Sequence, residues 1–148
     1  QAIFQGAGVP HAYLEGQNIE LMSNSDNVLR GGLTPKHIDV PELLKHILFE
    51  GIVPQIMNGE KNGAETIYHC PVPDFEVSKI ELDKKVIYHY TASSAEIILL
   101  TEGEAHIICN EQTLHIKKGE AVIAGANELY NISSSSRAVL YKAGVATR

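Results

Sequence analysis

From Glu65 onward, apolar and polar residues are grouped in short strand-like runs. ETIYHC, FEVSKIEL, VIYHYT, EIILLT, EAHIIC, QTLHIK, EAVIAG, ELYNIS and RAVLYKA follow one another to the end of the chain. Successive side chains of a strand project to opposite faces, so a period of two marks a strand with one face buried. In QTLHIK, Leu114 and Ile116 point one way and His115 and Lys117 the other. Turn formers separate the runs: Pro71 to Asp74, Ser93-Ser94, Glu102-Gly103, Asn110-Glu111, Lys118-Gly119, Gly125 to Asn127 and Ser133 to Ser136. Many short strands at this spacing predict two packed antiparallel sheets, a sandwich or closed jelly roll.

The first third is patterned differently. QAIF and NIELMS read as two short strands joined through PHAYLEG. A polar stretch over residues 25–40 follows, and then one helix. Asp39 is placed to cap it, Pro41 suits its first turn, and Glu42 favours its positive end. Leu43, Leu44, Ile47 and Leu48 form an apolar stripe at helical spacing, and Gly51 and Pro54 end it.

Composition narrows the possibilities. The chain has 148 residues, 44% of them hydrophobic and 20% charged, which suits one domain or two small ones. No apolar run approaches the ~20 residues that span a bilayer as a helix. The net charge is −6 with no basic stretch, which argues against nucleic acid as a partner. An anionic ligand would need a local positive site working against that field. Two cysteines do not make a disulfide framework: Cys109, in AHIIC, reads as a small core residue, and the usage fits a reducing cytoplasm. The chain opens on Gln1-Ala2-Ile3-Phe4, already strand-like, which suggests a C-terminal piece of something longer.

Candidate chemistry gathers before residue 40. His11 follows Pro10, and no second histidine lies at metal-ligand spacing from it. His37, His46, His69, His89, His106 and His115 are scattered, so the chain does not encode a complete metal site by itself. Glu20 projects opposite Ile19 and Leu21; it is either an exposed carboxylate or, if that face lines a cavity, an acid/base or supporting group. In SDNVLRGGLTPK, Asp26 and Asn27 can tie a turn, Gly31-Gly32 permits close approach of a ligand, and Arg30 and Lys36 can face one anion. A polar loop with solvated charges is the plain alternative.

PHAYLEG followed by IELMSNSDNVLRGGLTPKHIDVPELL resembles the C-terminal half of the type I phosphomannose isomerase family, closely over about the first 50 residues and loosely beyond. The joint pattern of HAYL, a glutamate nine residues after the histidine, and SDNVLRGGLTPK is specific. The resemblance implies an all-β fold: a cupin-like jelly-roll barrel at the C-terminus (residues 71–148), preceded by part of a second, catalytic cupin barrel with one short helix (residues 1–70). It implies a metal-dependent aldose–ketose isomerase acting on mannose 6-phosphate and fructose 6-phosphate, with zinc held by a Gln, two His and a Glu. It places one zinc ligand here, His11; the other three are expected upstream, in a missing N-terminal half, so the isolated chain should be inactive. It assigns Arg30 first, then Glu20 and Asp26, to the catalytic pocket, and Tyr13 and Lys36 to the substrate, leaving the proton-transferring base open. EGEAHIICNEQTLHIKKGEAVIAGANE has the cupin rhythm of strand, glycine turn and strand without a clustered His-x-His, implying a structural barrel without metal. The alternative reading is a non-catalytic cupin module that binds sugar or supports a partner domain.

Overall fold

A computed structural model of the chain describes residues 1–25 and 27–146. Its contacts divide it into two units, Gln1–Met57 and Asn58–Arg148. The first unit holds β1 (Ala2–Ile3), α1 (Val40–His46) and β2 (Ile56–Met57), with β1 and β2 paired antiparallel. The second holds β3 (Glu60–Asn62), β4 (Glu65–Tyr68), β5 (Glu76–Leu82), β6 (Ile87–Thr91), β7 (Glu96–Glu102), β8 (Glu104–Cys109), β9 (Gln112–Lys117), β10 (Ala121–Ala124), β11 (Leu129–Ser133) and β12 (Ala138–Gly144).

These strands form a six-stranded sheet in the order β10-β7-β12-β5-β4-β3 and a four-stranded sheet in the order β6-β11-β8-β9, every pairing antiparallel. One apolar core draws on both sheets. The larger contributes Ile80, Leu82, Ile98, Leu100, Ala124, Ala138 and Leu140; the smaller contributes Tyr88, Ala105, Ile107, Ile116, Tyr130 and Ile132. Each set occupies alternate positions of its strand, which is the two-residue period read from the sequence. Cys109 packs half-buried against this core, as its surroundings suggested. Ile116 is buried while His115 and Lys117 are exposed, but Leu114 stays open to solvent.

The helix forms where expected. Asp39 Oδ1 accepts from the Glu42 amide at 3.0 Å, capping an otherwise unsatisfied N–H. It stops at His46, before the last two residues of the apolar stripe, because Ile47 turns extended with φ −72° and ψ 138°. Two strand expectations fail. QAIF shrinks to Ala2–Ile3, and NIELMS forms no strand. An extended run needs a ladder partner for its N–H and C=O groups, and β-propensity does not supply one. The expected boundary at 70/71 falls inside the second unit: β3 and β4 precede it, and β4 is laddered to β5.

The two units differ in how they are held. The second has a closed core. Among the described residues of 1–57 none is buried; Leu14 is 90% exposed and Phe49 75%. Among the described residues no helix is long and apolar enough to cross a membrane.

Leu140, fully buried between the sheets, should be costly to truncate. Leu140→Ala is expected to lower stability by about 2–5 kcal/mol in denaturant titration, through lost transfer energy and the cavity left behind. Ile123→Ala, at a side chain 76% exposed, is expected to change it by less than about 1 kcal/mol.

Candidate functional site

In the first unit, short-range bonds set the chemistry-bearing side chains. His11 Nδ1 lies 3.0 Å from the Val9 carbonyl. A carbonyl only accepts, so Nδ1 carries the hydrogen and, in the neutral ring, Nε2 keeps its lone pair. The His11 and Tyr13 rings meet edge to face, centroids 5.8 Å apart. The Tyr13 hydroxyl donates to Glu20 Oε1 at 3.0 Å, and burial, together with this bond and the carboxylate charge, pushes the phenol above its ordinary pKa. His11, Tyr13 and Glu20 therefore form one exposed group.

Arg30 and Lys36 are also exposed, on the loop before α1. The Lys36 amide donates to Thr34 Oγ1 at 3.2 Å, and Gly32 and Leu33 take positive φ (140° and 54°), which bends the backbone sharply just after Arg30. Among the described residues, no hydrogen bond or ion pair joins Arg30 or Lys36 to the His11–Tyr13–Glu20 group. Asp26 lies outside the described residues.

A second concentration of polar chemistry sits inside the strand-rich unit. Lys142 Nζ lies 2.9 Å from Glu65 Oε1, donates to the Tyr88 hydroxyl at 3.0 Å, and stands 3.3 Å from the Tyr90 ring centroid. The Tyr88 hydroxyl donates to Glu65 Oε2 at 2.7 Å, and the Ser78 hydroxyl donates to Glu65 Oε1. Nearby, the Tyr130 hydroxyl donates to Glu96 Oε2 at 3.0 Å. Lys142 is 7% exposed and Glu65 4%. Burial pushes the Glu65 carboxyl up, but Ser78, Lys142 and Tyr88 outweigh it and hold the group below its ordinary value. Glu96 is raised by burial, against the pull of Lys142 and Tyr130. Glu65, Glu76, Ser78, Tyr90, Glu96 and Lys142 edge a cavity of about 30 Å³. That volume takes a water or two and is far too small for a sugar phosphate. Among the described residues no three His, Cys, Asp or Glu side chains are arranged to hold a metal ion.

Residues 64–140, just over half the chain, match the family model described as mannose-6-phosphate isomerase, cupin domain. The chain belongs to that family. It is 42% identical over 130 residues to the mannose-6-phosphate isomerase of Escherichia coli K12, covering 86% of this chain and 33% of that protein. It is similar to the crystal structure of the Salmonella typhimurium enzyme bound to its substrate fructose 6-phosphate and a zinc atom: TM-score 0.70 at 38% identity, over 85% of this chain and 32% of that one. Structures of the same enzyme with one histidine or one arginine replaced by alanine also match, with TM-scores of 0.70 and 0.69 at 38% and 37% identity, over 84% and 82% of this chain and 32% of theirs. The two replaced positions lie 19 residues apart. The chain thus spans about a third of the length of the relatives it matches.

The cupin domain's buried charges escaped the sequence reading, although the signal was present. Lys142 falls two positions after Leu140, Glu96 two before Ile98, and Ser78 two before Ile80. All three share the inward parity of the core, where a polar residue demands partners.

Removing one partner of the ion pair should strand the other. Lys142→Met is expected to cost about 3–5 kcal/mol in denaturant titration, and Lys142→Met with Glu65→Gln together less than Lys142→Met alone, since the double variant leaves no unpaired charge. A double variant as unstable as the single one would contradict this.

The two carboxyls give opposite pH signs. Glu65 has a folded pKa below its unfolded value of about 4.3, so its contribution is full above that value and is lost as pH falls through the folded one. Glu96 has a raised folded pKa, so acidification relieves the fold. In thermal unfolding followed from about pH 7 to pH 3, Glu65→Gln should lose less stability than the parent and Glu96→Gln more.

Proposed function

We propose that this chain is the part of a mannose-6-phosphate isomerase that supplies one zinc ligand and a substrate-facing loop, with the cupin barrel as its support. The observation that carries the reading is the likeness, at 38% identity and over 85% of the chain, to an enzyme structure holding fructose 6-phosphate and zinc. Two features of the chain support it. The 19-residue interval between the altered histidine and arginine of the Salmonella enzyme is also the interval between His11 and Arg30. Residues 1–57 bury none of their described side chains and leave Leu14 and Phe49 open, the condition of a segment that completes its packing against further polypeptide.

In this reading His11 holds zinc through Nε2, the nitrogen left bare by the bond to Val9. The remaining ligands come from the part of the enzyme outside this chain. Bound zinc would polarise the substrate's carbonyl oxygen. Aldose–ketose exchange moves one proton between C2 and C1 through a cis-enediol, and negative charge grows on the two adjoining oxygens. The Arg30 guanidinium donates to those oxygens, where fixed donors outside bulk water stabilise developing charge most. Lys36 offers a point charge to the phosphate, whose binding positions the reacting carbons. Tyr13 and Glu20 share a proton-bearing hydrogen bond, and the family resemblance assigns Glu20 and Asp26 to the same pocket as acidic groups. Zinc and a sugar phosphate are the cofactor and substrate this assigns; the setting is the cytoplasm.

Arg30→Ala in the longer isomerase should lower kcat/KM for mannose 6-phosphate about 10²–10³-fold in a coupled assay, with the fold intact by circular dichroism. The 148-residue chain alone should show no turnover. Unchanged activity in Arg30→Ala would remove the role given to that residue.

A further inference from the structure

The geometry points to Gly8 as a positioning residue that holds the His11 imidazole with Nε2 free for a metal; this rests on the isomerase reading for the ligand role of His11. The end of α1 reaches the turn that carries the histidine. The Leu48 amide donates to the Gly8 carbonyl at 2.9 Å. Gly8 has φ +76°, and a Cβ there would lie 2.7 Å from the His46 carbonyl and 3.2 Å from Leu48 Cγ. A side chain at this position is thus excluded twice, by backbone conformation and by the helix end. The Val9 amide closes the turn onto the Gly6 carbonyl at 3.4 Å.

The next link is stiff. Pro10 follows Val9 with a fixed φ, so the direction of the Val9 carbonyl and the place of His11 are set together. That carbonyl takes the Nδ1 hydrogen at 3.0 Å. A histidine bound in this way presents one tautomer in one orientation, which is what a ligand with a second-nitrogen anchor requires. The close approach at Gly8, 40 residues from Leu48 in sequence, is what carries helix position to imidazole orientation.

Two variants act on different atoms of this path. Gly8→Ala adds the colliding Cβ. Leu48→Pro deletes the N–H that holds the Gly8 carbonyl, at a place where the preceding residue is already extended as proline requires. The readouts are the His11 tautomer, from long-range proton–nitrogen NMR of this chain, and zinc affinity of the longer isomerase, with His11→Ala as control. The expected result is an Nδ1–H imidazole in the parent, mixed tautomers in both variants, unchanged signals from the strand-rich unit, and zinc affinity about 10–100-fold lower in each variant. If His11→Ala loses zinc affinity while both variants keep the parent's tautomer and affinity, the positioning role is overturned and the isomerase reading stands. If His11→Ala itself retains zinc, the ligand role of His11 and the positioning role fall together.

Discussion

The ammonium of Lys142 is almost wholly withdrawn from solvent, and the strand-rich unit is arranged around that fact. A buried charge is tolerated only when opposite charge and hydrogen bonds replace its hydration shell. Glu65, the Tyr88 hydroxyl and the Tyr90 face do so here, on β4 and on two positions of β6. β12 and β4 belong to the six-stranded sheet and β6 to the other, so the network crosses the gap between the sheets. Apolar contacts across that gap would tolerate small slips. The three-way geometry at Lys142 does not, because each partner lost leaves a polar group unsatisfied. The apolar core supplies most of the burial, and the bonds from Lys142 and Glu65 to Tyr88 tie the two sheets together at one end.

How much of this was legible follows from the same physics. The barrel strands could be read because inward positions repeat every two residues, and a run such as EAHIIC, with Ala105 and Ile107 buried and His106 exposed, shows that period without knowledge of its neighbours. NIELMS shows it too and forms no strand, because a ladder needs a partner that local pattern does not name. β3, with the sequence EKN, has no apolar residue at all; it is a strand because β4 offers a ladder edge. Lys142 and Glu96 look like surface residues until their parity with Leu140 and Ile98 is counted. Parity says that a residue points inward, but which partner meets it depends on strand order, and order is non-local.

The candidate site was legible in a different way. Composition and spacing left His11 an ordinary histidine and Glu20 an ordinary carboxylate. The combined motif gave them meaning, and the bond from Tyr13 to Glu20 then tied two of the motif's positions together over an interval of seven residues. The tautomer of His11 depends on the carbonyl two residues before it, and nothing in a string of letters says which way that carbonyl faces.

The two halves of the chain hold their geometry by different means. In the strand-rich unit, contacts far apart in sequence lock a closed core. In residues 1–57 most fixed bonds are local: His11 to Val9, Tyr13 to Glu20, Lys36 to Thr34, Glu42 to Asp39. Local bonds can pre-form each short fragment without any core, but they do not bring fragments together. Convergence of Arg30 and Lys36 with the His11 group needs long-range packing, and the open Leu14 and Phe49 are the surfaces through which such packing would act. The exceptions described within this unit are the β1–β2 pair and Gly8, where the end of α1 touches the turn that carries His11. In the isomerase reading, a segment built this way would bring prepared pieces to a site and take their final arrangement from the rest of the enzyme, and that is why its chemistry reads clearly at single residues and incompletely as a pocket.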